Sequence, residues 1–420
     1  MKPIIAALIL VAVGTTAGRA QTNDSLDALV NTALADNPDI AVAHKKWDAA
    51  LQRIPQARAL DDPSVGVDSW RKSRGAAAAS QTGLMASQDI PWFGKRDLRG
   101  GVETGAAKQA EMAWRMKTLE VVARVKQAYY DLWQAQRELD LNERNQELMQ
   151  QFVEVARLRY ETGKASQSDL IRAQNELAKL SEDRTDRTRT YQLALAELNR
   201  LMRRDPGTPV EIGPEVTAPV LEPAVTLDQL QAAAACRPEL LGLQEGEVRS
   251  AEAALALAKK GYDPDLQVRL EAWEYEGKGG IQEYDAGVSI NFPWLNGGRR
   301  DAAVREARAN LEASRDELVA MRTRTAAEVK KLYDGVQTMH HHYELYVGKL
   351  IPQQQLAVDA ARAAYESGTG GFLDVLDARR MLFDLEMQNL HHAAEFQRLL
   401  VSLERMVGGR LPMATAGEGK

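Results

Sequence analysis

The 420-residue chain has a single cysteine, Cys236, so no disulfide can form within it and burial must hold the fold together. It lacks an excess of positive charge: 53 Lys and Arg stand against 59 Asp and Glu, a formal net charge of −6. That removes the electrostatic footprint of a nucleic-acid binder. Beyond the first twenty residues no stretch reaches the ~18 consecutive apolar residues that a spanning helix needs. If the chain enters a membrane, it must do so as β-strands, whose backbone groups can satisfy one another. No nucleophile–base pair, metal triad or phosphate-cradling loop stands at a recognised spacing, so the reading is of a non-enzyme without a cofactor. With 45% hydrophobic and 27% charged residues, the composition is that of a folded protein.

The first residues have the pattern of a signal peptide. Lys2 supplies a minimal positive end, residues 4–13 are apolar, and small residues lead to a cleavage site after Ala20. The expectation is export, with no cysteine after the apolar run to carry a lipid anchor.

The chain is written twice. Leu26-Asp27-Ala28-Leu29 returns as Leu227-Asp228-Gln229-Leu230, Asp62-Pro63 as Asp263-Pro264, and Pro91-Trp92-Phe93 as Pro293-Trp294-Leu295. Tyr160-Glu161-Thr162-Gly163 returns as Tyr365-Glu366-Ser367-Gly368, and Asp169-Leu170 as Asp374-Val375, at an offset of about 201 to 205 positions. Landmarks repeated in one order imply a duplication. The expected organisation is a signal peptide at 1–20, a first repeat at 21–204, a Pro- and Gly-rich linker at 205–223, a second repeat at 224–409 and a flexible tail at 410–420. Each repeat reads as a first helix (25–59, then 227–261), two alternating segments, a very long helix, a glycine turn and a returning helix.

Residues 99–162 contain no proline and would form a helix of about 95 Å at 1.5 Å per residue, far beyond the usual globular length. In the second copy Leu332, Val336, Met339, Tyr343, Tyr346 and Leu350 step by four and three, a coiled-coil seam. Pro352 predicts a kink. Cys236, inside the expected first helix of the second copy, reads as a small, mostly buried residue.

The segments between helices alternate with a period of two. Leu266, Val268, Leu270 and Ala272 interleave with Gln267, Arg269 and Glu271; Tyr284, Ala286, Val288, Ile290 and Phe292 interleave with Asp285, Gly287, Ser289 and Asn291. Strands are expected at about 63–73, 81–91, 265–275 and 283–293, each about long enough to cross a bilayer when tilted. Trp92 and Trp294 at the strand exits, and Trp70 and Trp273 near the loop ends, are placed where membrane interfaces attract aromatics. Four strands are too few to close a barrel with a usable interior, so the chain must oligomerise; three copies give twelve strands.

These residues resemble the TolC family of outer-membrane efflux proteins. The resemblance covers about residues 26–408 and rests on the duplication and on Tyr160, Gly163, Asp169, Leu170, Ala173 and Gln174. Tyr365, Gly368 and Asp374 to Ala378 carry it in the second copy. It implies a mainly α fold with a membrane β-barrel part: a homotrimer whose twelve-stranded barrel sits on a long α-helical coiled-coil barrel. The implied function is passive exit through the outer membrane, as one part of a tripartite efflux system with a periplasmic adaptor and an inner-membrane pump of the RND type. Ser87 to Arg96 resembles the branch serving copper–silver and cobalt–zinc–cadmium efflux. A protein-secretion or drug-efflux channel of the same fold is the alternative, and a soluble periplasmic coiled-coil scaffold the more distant one.

The resemblance also implies roles. Asp374 and Asp377, three apart and so on one helix face, would line the periplasmic entrance as rings of carboxylates that favour cations; the local alternative is that Asp374 is the N-cap of the returning helix. Asp169 would help hold the entrance shut against the turn near Tyr365, although Gly370 stands where the family pattern has a basic residue. The turns holding Gly163, Ser168, Gly368 and Gly370 would meet the adaptor. His340, His341 and His342 cannot converge on one ion, since successive helical residues turn by about 100°. Folding about Gly370 places His391 and His392 about 12 Å along the axis from them, so the histidines read as a solvated face rather than a metal site.

Overall fold

The computed structural model describes residues 20–72, 79–213, 216–218, 225–275, 277 and 279–412. Nearly all of the expected signal peptide, the first hairpin loop at 73–78, linker residues 214–215 and 219–224, and the tail from 413 lie outside the described residues. The chain divides into two compact units, one built from residues 39–118 and 231–328, the other from the remaining described residues.

The first unit holds the sheet. Strands β1 (Ser64–Lys72), β2 (Ala79–Ile90), β3 (Leu266–Tyr275) and β4 (Glu283–Ile290) form one antiparallel sheet in the order β1-β2-β3-β4. The central pairing joins the two halves of the duplication: Leu84 faces Ala272 and Ala86 faces Leu270. Residues paired across strands share a face. Val65, Val67, Leu84, Ala86, Val268, Leu270, Tyr284 and Val288 therefore lie on one face, and Asp68, Ser87, Gln267, Arg269, Glu271 and Asp285 on the other. The apolar face is bare, with Val65 71%, Val288 72% and Tyr284 76% exposed. Among the described residues β1 pairs only with β2 and β4 only with β3, which leaves both outer edges of the sheet open.

Helices α2 (Pro38–Arg58), α6 (Pro238–Lys260) and the starts of α3 (Lys95–Glu161) and α7 (Gly297–Leu345) complete this unit. Trp47 of α2 stacks on Trp114 of α3 at 5.2 Å, with the His44 ring edge-on to both. The strand-to-helix junction is pinned by one lysine. Lys95, at the head of α3, donates to the Asp263 carbonyl at 2.7 Å and to Asp265 Oδ1 at 2.8 Å, and the Trp92 N–H donates to the same oxygen at 2.8 Å. The Lys95 side chain is only 8% exposed, so its charge needs that carboxylate. The Pro-Trp-Phe-Gly-Lys sequence is thus a junction whose lysine ties the start of α3 to the entry of β3.

The second unit contains α1 (Ala20–Asp36), the end of α3, α4 (Gln167–Leu201), α8 (Ile351–Ser367) and α9 (Phe372–Val407). On α1, Leu26, Leu29, Val30 and Ala33 are buried at helical spacing. Leu132 and Trp133 of α3, Leu198 of α4 and Phe396 of α9 are almost fully buried, and on the seam Leu332 and Val336 are buried.

Three local expectations change. The first helix is two, α1 and α2, because Pro38 disfavours helical geometry at Asn37. Asn37 is buried in that break and its Nδ2 donates to the Leu201 carbonyl at 2.8 Å. The second copy breaks in the same way before Pro238, giving α5 (Leu227–Ala235) and α6. Cys236 falls in that break, past the helical face that packs, and is exposed rather than buried. At Pro352 the interruption is a π-helical turn over Tyr346–Leu350, in which the Ile351 N–H reaches back to Tyr346 O. A proline cannot donate to the carbonyl four residues earlier, and the wider turn absorbs that missing bond just ahead of it.

The junction gives a pH-dependent prediction. Burial alone would raise the Asp265 carboxyl, but Lys95, the Trp92 N–H and Asn291 together hold it below the ordinary carboxylate value. A depressed folded value means that the stabilisation is present above the unfolded value of about 3.9 and is lost as pH falls through the folded one. Asp265→Asn keeps the acceptor but strands the Lys95 charge. It should cost about 1–2 kcal/mol at neutral pH, discounted for the partial exposure of Asp265. Thermal melts of detergent-purified protein should show the wild-type advantage shrinking below pH 4.

Candidate functional site

The turns at the far end of the helix pairs are built alike. The α3–α4 turn uses Gly163 at φ +69° and the α8–α9 turn uses Gly368 at φ +82°, left-handed geometry that an L side chain rarely adopts. Each returning helix then starts on an aspartate. Asp169 Oδ2 accepts the Ser166 N–H at 3.2 Å while Ser166 Oγ accepts the Asp169 N–H at 3.3 Å, a reciprocal capping box. Asp374 Oδ2 accepts the Gly371 N–H at 3.1 Å. Asp374 is therefore not the N-cap, which is Gly371, but the residue three further on. The chain itself does not bring Asp169 to Tyr365. Asp169 is occupied by its own helix start, while Tyr365 is 6% exposed, rests on Phe372 with ring centroids 5.7 Å apart, and has a buried hydroxyl without a hydrogen-bond partner.

What holds Tyr365 in place is Arg159. Its guanidinium lies 4.2 Å from the centre of the Tyr365 ring, and it donates to the carbonyls of Tyr365 at 2.7 Å and Glu366 at 2.9 Å. Both carbonyls belong to the last turn of α8, where a cation is favoured, and the Tyr365 carbonyl also accepts the Gly368 N–H at 3.1 Å. Two residues 206 apart in sequence carry no spacing signal, and only the tendency of helix C-termini to attract basic residues could have pointed to Arg159.

Beside the turn, Asp374 and Asp377 are both exposed. Arg380 lies 3.8 Å from Asp377 but makes its close contact with Glu176, whose side chain is 9% exposed. The Glu176 hydrogen bond is the main reason the Arg380 guanidinium is raised above its ordinary value. Ser168 and Gly370 lie at the same end.

At the strand exits the aromatics form two pairs, half-buried Trp92 with exposed Phe93 at 5.7 Å and exposed Phe292 with exposed Trp294 at 5.1 Å. Phe93 is 80% and Leu295 82% exposed. Trp273 does not join them. The register puts it opposite Gly83 and Glu283, on the face of Arg269, Glu271 and Asp285. Its ring lies so close over Gly83 that an added Cβ there would be 2.7 Å from it. Period-two parity from Glu271 already assigns Trp273 to the polar face. The side chain of Trp70 lies outside the described residues.

The histidines are closer together than helix counting gives. Thr369 and Gly370 both donate to the Ala364 carbonyl, at 2.9 and 3.0 Å, so the turn folds back along α8 and α9 starts level with an earlier residue than Gly370. His342 and His392 have ring centroids 5.0 Å apart, whereas counting about Gly370 sets the two histidine runs about 12 Å apart along the axis. Burial first, then the neighbouring His342 and His391, hold His392 below its ordinary value. Among the described residues no group of three or more His, Cys, Asp or Glu is arranged to hold a metal ion.

The profile of the family described as Outer membrane efflux protein matches residues 29–202 and 230–409, once on each copy of the duplication. The chain belongs to that family. It is similar to the cobalt-zinc-cadmium resistance protein CzcC of Cupriavidus metallidurans, 23% identical over 91% of this chain and 90% of that one. It is likewise 23% identical to the cation efflux system protein CusC of Escherichia coli K12, over 92% and 87% of the two chains. Its fold matches a crystal structure of CusC with a TM-score of 0.78 at 20% identity, over 92% of each chain. The protein is an outer-membrane efflux duct.

In this duct the Gly370 N–H is spent on the Ala364 carbonyl. The guanidinium at the turn comes from α3, through Arg159. Arg159→Met keeps the length of the side chain but removes the bonds to the α8 C-terminus. The expected result is a local cost of about 1–2 kcal/mol, read as roughly five- to thirtyfold faster amide exchange over residues 364–371 with exchange elsewhere unchanged. Unchanged exchange at the turn would show that Arg159 is not what secures it.

Proposed function

We propose that the duct works as a homotrimer and conducts heavy-metal cations delivered by an RND-type inner-membrane pump through a periplasmic adaptor. The observation that carries the assembly is the sheet. One face offers Val65, Val67, Leu84, Leu270, Tyr284 and Val288 to an apolar surrounding, the other is polar, and both edges are open. Lipid satisfies the apolar face but leaves open edges with unpaired N–H and C=O groups, which only further strands can satisfy. Three copies supply twelve strands, enough for a water-filled interior lined by Arg269, Glu271, Asp285 and Trp273. Trp92, Phe93, Phe292 and Trp294 then stand at one interface of the bilayer.

Cation cargo is supported by the names of the relatives and by the acids at the turns. In a ring of three copies Asp374 and Asp377 make two rings of three carboxylates, a field that enriches cations at the entrance. Asp169 and Tyr365 belong to the same entrance, and Gly163, Ser168, Gly368 and Gly370 form the tips that meet the adaptor. A rearrangement that gives the Tyr365 hydroxyl a partner would recover the ~1–3 kcal/mol that a buried orphan costs, which suits a part that opens and closes.

The test is a deletion strain challenged with salts of cobalt, zinc, cadmium, copper and silver and, in parallel, with drugs and detergents. Sensitisation to metals alone is expected. Sensitisation to drugs alone, or loss of a secreted protein, assigns the duct to a different pump. In planar bilayers Asp374→Asn with Asp377→Asn should lower the preference for cations over anions. Unchanged selectivity would remove these residues from the conduction path.

A further inference from the structure

Five of the six histidines lie in two short runs, 340–342 and 391–392, and the fold brings one from each run together. His340 is already engaged: its Nδ1 meets the Ala218 carbonyl at 2.7 Å and its Nε2 stands 3.3 Å from Glu344. His341 and His391 are exposed. His342 of α7 and His392 of α9 are different. Both are half-buried, and in both the Nδ1 atom is shielded from solvent and has no hydrogen-bond partner. A polar atom buried without a partner costs about 1–3 kcal/mol, and an ordered water or a bound ion can satisfy it. Two of them, on neighbouring rings of adjacent helices with planes 59° apart, can share one acceptor of lone pairs.

We infer that His342 and His392 form a two-imidazole site for a transition cation of the zinc–copper–nickel group. The distance supports this choice. Metal–nitrogen bonds of about 2.0–2.1 Å put each ring centre about 3.2 Å from the ion, so a tetrahedral angle between them sets the centroids about 5 Å apart. The rings stand at 5.0 Å without any movement of the helices. Imidazole nitrogen suits zinc, copper and nickel and does not suit magnesium or calcium, which require oxygen ligands. Asn389, three residues before His392 and so on the same side of α9, has a buried Oδ1 that also lacks a partner. That oxygen and water complete the donor set.

The position gives the site a consequence. Tyr346 packs against the His392 ring at 4.9 Å and opens the π-helical turn at Tyr346–Leu350. A π turn holds its backbone in a less common hydrogen-bonding pattern, frequently at functional places in helices. A cation bridging α7 and α9 one turn earlier clamps the two helices where the wall is least regular. This is a resident site in the helical seam. It does not depend on which cargo the duct conducts.

Protein carrying a non-histidine affinity tag, purified in detergent and stripped with chelator, is titrated with Zn2+ by calorimetry. Co2+ is titrated separately as an optical probe and Mg2+ as a control. Wild type is expected to bind one Zn2+ per chain in the micromolar range, to give visible absorption bands of tetrahedral Co2+, and to ignore Mg2+. His342→Gln and His392→Gln should each weaken Zn2+ binding by at least about tenfold and abolish the Co2+ bands, because each removes a direct ligand. His341→Gln and His391→Gln, at exposed positions, should leave both readings unchanged. Failure of wild type to bind Zn2+ overturns the proposal. So does equal loss with the exposed variants, or retention of the Co2+ bands in His342→Gln. Should His392→Gln assemble poorly, a zinc-induced rise in the melting temperature of wild type that is absent in His342→Gln decides the matter.

Discussion

A peptide group inside hydrocarbon must find its hydrogen-bond partner within protein, at a cost of several kcal/mol if it does not. The form of the sheet in this duct follows from that demand. The four strands satisfy one another at three pairings and leave two edges open. A lone copy could therefore not rest its apolar face in lipid, however well that face suits it. The duplication supplies part of the answer inside one chain, since the widest pairing, from Gln81 with Tyr275 to Ile90 with Leu266, joins one repeat to the other. Lys95 fixes that pairing at its end by binding Asp265, one residue before β3 begins. That bond ties the head of one repeat's long helix to the strand entry of the other, at one end of the ladder that joins the two hairpins.

The long helices obey a different rule. They have water as well as neighbours around them, so they need only one apolar stripe, and their sequence can be rich in Ala, Arg, Glu and Gln. Such helices rely on ends and seams for specificity. Gly163 and Gly368 turn the chain, Asp169 and Asp374 start the returning helices, and Arg159 closes the α8 C-terminus. The same local chemistry is used twice, as a duplicated sequence predicts.

Much of this was legible in the sequence, for identifiable reasons. Period-two alternation revealed the strands because their two faces meet different solvents, and the absence of proline over residues 99–162 revealed the long helix. The breaks at Asn37 and Cys236 were missed although Pro38 and Pro238 announce them, because the apolar periodicity runs on across both. Trp273 was assigned by its closeness to the loop, when parity with Glu271 decides its face. The His342–His392 pair was hidden by something no pattern records: the α8–α9 turn folds back on Ala364 and shifts the register of two helices that face each other. Arg159 was hidden because its partners are distant in sequence and are backbone carbonyls, which have no residue identity.

The turn acids show how a local role and a duct role can be separated. Asp374 completes a helix start, and a carboxylate in the first turn is worth about 0.3–1 kcal/mol against the helix dipole. Local stability is thus enough to account for its charge. Asp377 is different. It lies beyond the first turn of α9, where the dipole contribution has faded, and it caps nothing. Its one cationic neighbour, Arg380, is 3.8 Å away and already committed to the nearly buried Glu176, which cannot be left unpaired without a large penalty. At 67% exposure Asp377 has nothing to gain from Arg380 beyond a weak, screened attraction. The helix would fold as well with a neutral residue there. The local structure therefore does not account for the charge of Asp377, which stands exposed beside the turn.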